Sequence, residues 1–262
     1  VVGIFSGQAD KLIFPLLYDD PLVGKAQLGI YSACYKIAVI MVLFTQAFRY
    51  AYDPFVFAKA KEGGETAKAA YAEAMRYYVL FTLFIFLGVM STLDLLKYYI
   101  TPEYFSGLPV IPLVMLGQLM FGVYFNLSVW YKLTDRTHWG AILSIIGATV
   151  SLLWIILGTP SMGFMACAWA ALGSNALIMV LSYFLGQRYY PIRYPLKAIA
   201  GYTALALSLW GIQELFAAYV SSNEWLCLGF NLCLLSAFVA IVVLSERLHH
   251  NLRGFVSKYL KR

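Results

Sequence analysis

The stretch QLGIYSACYKIAVIMVLFTQAFRYAYDPF, residues 27–55, carries two signals at once. Its apolar residues take it past the roughly 20 residues a helix needs to cross the hydrocarbon of a bilayer. Its polar residues recur at helical spacing. At about 100° per residue, Gln27, Tyr31, Tyr35, Thr45, Gln46, Arg49 and Asp53 fall within one arc of about 100°, interrupted by Ala38 and Val42. Such a stripe does not face lipid, where unsatisfied polar groups are costly. Tyr, Thr and Gln commonly serve as packing glue between membrane helices. Arg49 and Asp53 at the stripe's end, with Lys36 to one side, are more than packing needs, and the stretch predicts a helix bordering a water-filled cavity.

The rest of the chain agrees about the medium. Of 262 residues, 61% are hydrophobic and 12% charged, with a mean hydropathy of +0.74. Soluble domains run near 45–50% apolar and about 25% charged, so an integral membrane protein is expected. Long apolar runs without alternation exclude a β-barrel. Runs bounded by charge, Pro or Gly predict helices near 1–18, 26–50, 74–96, 108–132, 138–158, 162–187, 195–219 and 224–247. The expected fold is an all-α, polytopic transmembrane bundle of about eight spans with short loops and no sizeable water-soluble domain.

Lys and Arg set the orientation, because short cytoplasmic loops retain them. Arg49, Lys59, Lys61, Lys68, Arg76, Lys132, Arg136, Arg188, Arg193, Lys197 and the basic residues from Arg247 onward fall on one side. Only Lys25 and Lys97 fall on the other, so both ends of the segment are expected in the cytoplasm. The formal charge of +6 then reflects basic loops meeting anionic inner-leaflet lipid. No basic run is interleaved with exposed aromatics as a base-stacking surface would be, so nucleic acid is not an expected partner.

The chain opens VVGIFSG, with no initiating Met and no signal-peptide pattern, and reads as a fragment. In the first expected helix, Gly3 and Gly7 form a small-xxx-small pair and Asp10 lies on their face. Pro15 removes the hydrogen bond to the carbonyl of Lys11, freeing an acceptor beside the Asp10–Lys11 pair. Those two charges either border the cavity or pair with neighbouring helices to hold the bundle. Between spans, residues 53–76 start with Pro54 just past a helix and turn at Gly63 and Gly64. Thr66 then begins a helix that enters the bilayer at an aromatic belt of Tyr77 and Tyr78. The tail from residue 248 reads as a short basic amphipathic helix on the inner surface. Cys34, Cys167, Cys227 and Cys233 show no paired spacing and no neighbouring His, so neither a disulfide framework nor a metal site is expected.

Residues 122–197 supply a resemblance. GVYFNLSVWYKLTDRTHWGA, PSMGFMACAWA and LSYFLGQRYYPIRYPLK look like the C-terminal half of bacterial polysaccharide and lipopolysaccharide (O-antigen-type) flippases, within the multidrug/oligosaccharidyl-lipid/polysaccharide exporter superfamily. GQADKLIF, VGKAQLGIYSACYKIA and QAFRYAYDPFVF extend the likeness along nearly all of the chain. The resemblance implies helices seven to fourteen of a fourteen-helix, two-lobed flippase. Residues 1–187 would be a six-helix lobe, 188–247 two additional helices and 248–262 a basic cytoplasmic tail. The family implies alternating-access transfer of undecaprenyl-pyrophosphate-linked oligosaccharide across the bacterial inner membrane, with no cofactor. Partners would be anionic lipids, an N-terminal lobe of the same chain and polysaccharide polymerase machinery. Asp10, Lys11, Tyr31, Tyr35, Lys36, Gln46, Arg49 and Asp53 are the expected substrate-binding residues, the cations facing pyrophosphate or acidic sugar and the carboxylates setting charge balance. There are departures: Lys11 stands where Arg is common, Pro15 replaces a frequently basic position, and residues 152–163 lack the Asn and the LIP run often seen there.

There are three alternatives. A purely structural membrane scaffold would not require a polar stripe through a span; the other two differ in chemistry. A multidrug cation antiporter of the same superfamily would want an acidic cavity, whereas Lys and Arg dominate here. An oligosaccharide polymerase or ligase would want a long outer loop carrying its chemistry. The longest, near 97–107, holds no Ser/His/Asp set, carboxylate pair or Gly-rich phosphate loop, so an enzyme is not expected.

Overall fold

The computed structural model describes residues 13–18, 20–220 and 224–259, with side chains through Arg247. It is 90% helical and holds no strand among the described residues. Helices dominate because a bilayer supplies no partner for a backbone N–H or C=O, and a helix satisfies both within one segment. After a 3-10 turn at Phe14–Leu17 come α1 (Pro21–Glu62), α2 (Gly64–Ser91) and the single turn α3 (Leu93–Leu96). Two 3-10 segments, Lys97–Tyr99 and Pro102–Gly107, lead into α4 (Val110–Leu127) and α5 (Val129–Leu133). The chain continues as α6 (His138–Met162), α7 (Met165–Tyr189), α8 (Leu196–Tyr219) and α9 (Glu224–Tyr259).

Six stretches are long and apolar enough to cross a membrane: α1, α2, α4 with α5 as Val110–Leu133, α6, α7, and the Glu224–Arg247 part of α9. This is compatible with a multi-pass membrane protein. The first of the eight expected spans falls largely outside the described residues. The seventh is present as the 24-residue helix α8, which is not among the six; Lys197, Gln213 and Glu214 dilute its apolar run.

Helix α1 differs from the sequence reading. It begins where Asp20 accepts a hydrogen bond from the Leu22 N–H at 2.8 Å and Pro21 occupies the first turn, a regular N-terminus. It then runs for 42 residues, about 63 Å at 1.5 Å per residue, straight through Pro54 rather than ending before it. Pro54 cannot bond the carbonyl of Tyr50, but both residues are exposed, so solvent or headgroups can serve that carbonyl. The helix stops at Gly63, φ +68°, followed by Gly64, φ +65°. That left-handed pair makes the expected turn and carries no side chain to strain it. The basic tail likewise adds no separate element, since α9 continues unbroken to Tyr259.

The described residues form two compact units, one comprising the chain through Thr82 with Leu96–Pro195, the other Leu83–Leu95 with the chain from Leu196. In the first, α1 packs on α4, α4 on α7, and α7 on α6. Gly117 of α4 lets the backbone of α7 approach: a Cβ there would stand 3.3 Å from the Leu172 N and Cα. Gly122, one turn on, leaves the slot filled by the Tyr78 ring. Tyr78 was expected in an interfacial belt with Tyr77, yet it is fully buried while Tyr77 is 44% exposed. Its hydroxyl lies 3.1 Å from Thr45 Oγ1, and its ring packs 4.7 Å from Phe48. A phenol whose one polar atom finds a partner behaves as a core aromatic.

In the second unit α8 packs on α9. Phe216 stacks on Phe230 at 4.0 Å, and the Tyr202 hydroxyl donates to Glu246 Oε1 at 2.8 Å. Ser91 is the polar knot of this unit. Gln213 Nε2 donates to its Oγ at 2.8 Å, and Asn231 Nδ2 reaches its carbonyl at 3.5 Å. Gln213 Oε1 and Asn231 Oδ1 are buried with no hydrogen-bond donor among the described residues.

Candidate functional site

The polar stripe of α1 divides into parts with different duties. At the upstream end, Tyr31 is buried and its ring lies 5.9 Å from that of the half-buried Tyr35. Gln27 reaches the turn between α6 and α7, where a Cβ on Gly163 would stand 3.3 Å from its Oε1. Tyr18, just before α1, approaches the same turn, and burial followed by the nearby Cys167 raises its phenol above the usual range. Thr45, in mid-stripe, is used up by its contact with Tyr78, which is helix-packing glue rather than cavity lining.

The downstream end is where the charges gather. The half-buried Arg49 holds its guanidinium carbon 4.3 Å from the centroid of the Phe125 ring on α4. Cation–π contacts of this kind contribute roughly 0.5–1 kcal/mol when exposed and more when desolvated. Asp53, one turn further, accepts a hydrogen bond from Lys132 Nζ of α5 at 2.7 Å. Tyr52 turns the other way into the core with Val56, Tyr71, Val129 and Ile192, and its hydroxyl donates to the Asn126 carbonyl at 3.4 Å. These contacts fix the register of α1 against α4 and α5, and with it the position of Arg49.

Arg49 therefore makes no ion pair among the described residues, although Asp53 stands one helical turn away. The reason is geometric. An Arg placed N-terminal to an acid at i,i+4 is the weaker orientation of a helical pair, and Lys132 approaches Asp53 from a separate helix. Gln46 is half-buried on the same arc, one turn before Arg49. In the sequence Lys132 reads as a basic loop residue marking topology. The available signal was the position of YK at the very end of an apolar run, where a Lys can point back along the bundle.

Lys36 belongs to neither end. It is exposed and lines a groove of about 430 Å³ together with Ile37 and Ile40 of α1 and with Tyr99, Thr101 and Tyr104 of the segment after α3. Asp10 and Lys11 lie outside the described residues. The structure thus joins Arg49 and Asp53 with Phe125 and Lys132, pairs Tyr31 with Tyr35, and sets Lys36 apart.

Nearby on the basic side, Arg136 sits 4.3 Å above Tyr189, whose ring stacks on Trp130 at 5.5 Å. Trp130 is buried and its Nε1–H reaches Ser182 Oγ at 3.3 Å. Tyr194, in the link between α7 and α8, is held above the ordinary phenol range by burial, reinforced by Tyr183 and Tyr190. Among the described residues no group of three or more His, Cys, Asp or Glu could hold a metal ion. Cys34, Cys167 and Cys227 are buried thiols, and Cys34 Sγ contacts the Tyr104 carbonyl at 3.5 Å. No family model, no curated protein and no solved structure matches the chain.

Proposed function

We propose that the chain is part of a transporter that flips an undecaprenyl-pyrophosphate-linked oligosaccharide across the bacterial inner membrane, by alternating access, for polysaccharide or lipopolysaccharide assembly. Residues 1–187 act as one lobe opposed to an N-terminal lobe, 188–247 as two additional helices and 248–262 as a cytoplasmic tail, with both ends of the segment cytoplasmic. The observation that carries this reading is Arg49: a cation without a carboxylate partner among the described residues, on a helix apolar enough to span a membrane. Intramembrane charges are costly and mark substrate or ion pathways. A pyrophosphate and its sugars cannot cross hydrocarbon unaided. Arg49 offers the planar, multi-donor group that suits phosphate oxygens, while the lipid tail stays in the bilayer.

The same geometry favours an anionic over a cationic cargo. In the described stripe the one carboxylate, Asp53, is already neutralised by Lys132, so a drug cation would find no open acid there. No chemical step is required of the protein. An inside-negative potential assists outward passage of an anion by about 2.3 kcal/mol per charge per 100 mV. Substrate shifts the inward and outward populations only to the extent that it binds them differently.

The test is transfer of an acidic lipid-linked oligosaccharide in reconstituted vesicles. Arg49→Ala removes a charge-assisted contact worth about 1.5–3 kcal/mol, and transfer falls by roughly tenfold or more. Unchanged transfer at equal protein content would remove Arg49 from the path.

A further inference from the structure

We infer that the groove beside Lys36 is a second, separate anion site that takes the phosphate of a membrane lipid. The inference deepens the transport reading and rests on it for the site's role, though not for its binding chemistry.

Lys36 and Arg49 cannot share one phosphate group. They are 13 positions apart on α1, about 20 Å along the axis and about 140° around it. The two cations look onto different surfaces. Lys36 makes no ion pair among the described residues, and no acidic side chain is among those lining its groove. An intramembrane lysine in that position is expected to meet an anion or water.

The groove supplies the rest of an amphiphile's needs. At about 430 Å³ it falls in the range of small-molecule sites, which are mostly apolar with a few polar groups that fix orientation. Tyr99, Thr101 and Tyr104, residues that carry hydroxyls, line the groove with Lys36, while Ile37 and Ile40 provide apolar surface. Hydroxyl donors and an ammonium are the chemistry of phosphate recognition, the ammonium acting as a point charge. Tyr99 is 90% and Ile40 45% exposed, so the rim is open and leaves room for a lipid tail to extend from it. Lys36 also stands on the Pro21 side of the apolar waist, towards the end of α1 opposite the basic residues Lys59 and Lys61. A soluble anion has no use for that apolar wall, whereas a lipid phosphate uses both parts. Two lipids offer this chemistry: bulk anionic phospholipid and a polyprenyl phosphate carrier.

The chain is reconstituted into phosphatidylcholine nanodiscs doped with equal fractions of phosphatidylglycerol or of undecaprenyl phosphate, and retained lipid is read by native mass spectrometry. We expect wild type to retain an anionic lipid, Lys36→Gln to bind it about tenfold more weakly, and Lys36→Arg and Arg49→Gln to retain it. Selective retention of undecaprenyl phosphate assigns the groove to the transported lipid, and equal retention of both assigns it to headgroup phosphate in general. Equal retention by wild type and Lys36→Gln overturns the site. Lys36 is exposed and Lys36→Arg keeps its charge, so a fold lost on substitution would be visible as loss in both variants. Because retention is read without transport, inactive vesicles with Lys36-dependent retention would refute flipping alone. Active flipping with Lys36-independent retention would refute the groove alone.

Discussion

Removing Lys132 is expected to weaken the site through a residue that Lys132 never touches. In Lys132→Gln, Asp53 loses its 2.7 Å partner and the nearest remaining cation on its own helix is Arg49, one turn back. The raw attraction between two such charges, at about 4 Å and an effective dielectric near 20, is about 4 kcal/mol. That figure needs discounting for solvent: the Asp53 side chain is 36% exposed and that of Lys132 23%, and pairs open to water deliver about 0.2–1 kcal/mol. Part of even this is offset as Arg49 leaves Phe125. With at most about 1 kcal/mol holding Arg49 to Asp53, an anion must first break that pair, and its apparent affinity falls by up to roughly fivefold. The assay is concentration-dependent transfer of acidic lipid-linked oligosaccharide in vesicles, comparing Lys132→Gln, Asp53→Asn and the double variant. The double variant has no acid to capture Arg49, so it recovers wild-type affinity. If Lys132→Gln weakens transfer and adding Asp53→Asn does not restore it, Asp53 is not the intermediary and the charge-balance argument fails.

Two further outcomes test the packing. Gly122→Ala places a methyl group in the slot held by the Tyr78 hydroxyl, forcing the ring off Thr45; overpacking of this kind costs about 1–3 kcal/mol, with about 1 kcal/mol more for the hydrogen bond. Thermal unfolding in detergent is expected to shift down by several degrees, and Gly122→Ala combined with Tyr78→Phe to recover part of the loss; no shift would mean α2 and α4 are not in register at that level. Gln213→Leu with Asn231→Leu removes two buried oxygens that lack donors among the described residues, each carrying a desolvation cost of about 1–3 kcal/mol, in exchange for one good and one long hydrogen bond. The melting temperature is expected to hold or rise, and a fall of several degrees would show that those oxygens are satisfied in the membrane.

What the sequence made legible follows from the medium. Apolar length predicts helices wherever water is absent, and the Gly63–Gly64 turn needs no tertiary information because its φ angles suit glycine alone. Helical phase is local, so the sequence alone places Lys36 to one side of the arc that holds Arg49, although the resemblance assigns both to one cavity. Pairings across the fold were not local. Nothing within residues 74–96 indicates that Tyr78 turns inward; the decision belongs to Gly122, 44 positions away, whose missing side chain opens the slot. Lys132 reads as a topological marker until Asp53, 79 positions upstream, is seen beside it. Pro54 misled for a different reason. The rule that proline ends a helix assumes that the carbonyl it orphans has no other partner, and at an exposed position near a membrane surface that assumption fails.

The continuity of α1 from Lys36 to Arg49 matters for how charge can move along it. Lys36, Arg49 and Asp53 all precede Pro54 on this one helix, which holds the Lys36 groove and the Arg49 end at a fixed spacing of about 20 Å. Between them stand Ile37, Ala38 and Met41, all buried against the bundle. On the transport reading, a phosphate therefore leaves one cation well before it can meet the other, and α1 alone cannot bridge the gap. The hydration or charge that carries it past this waist must come from surfaces facing α1, which makes the waist, rather than either cation, the place where opening on one side can be made exclusive of opening on the other.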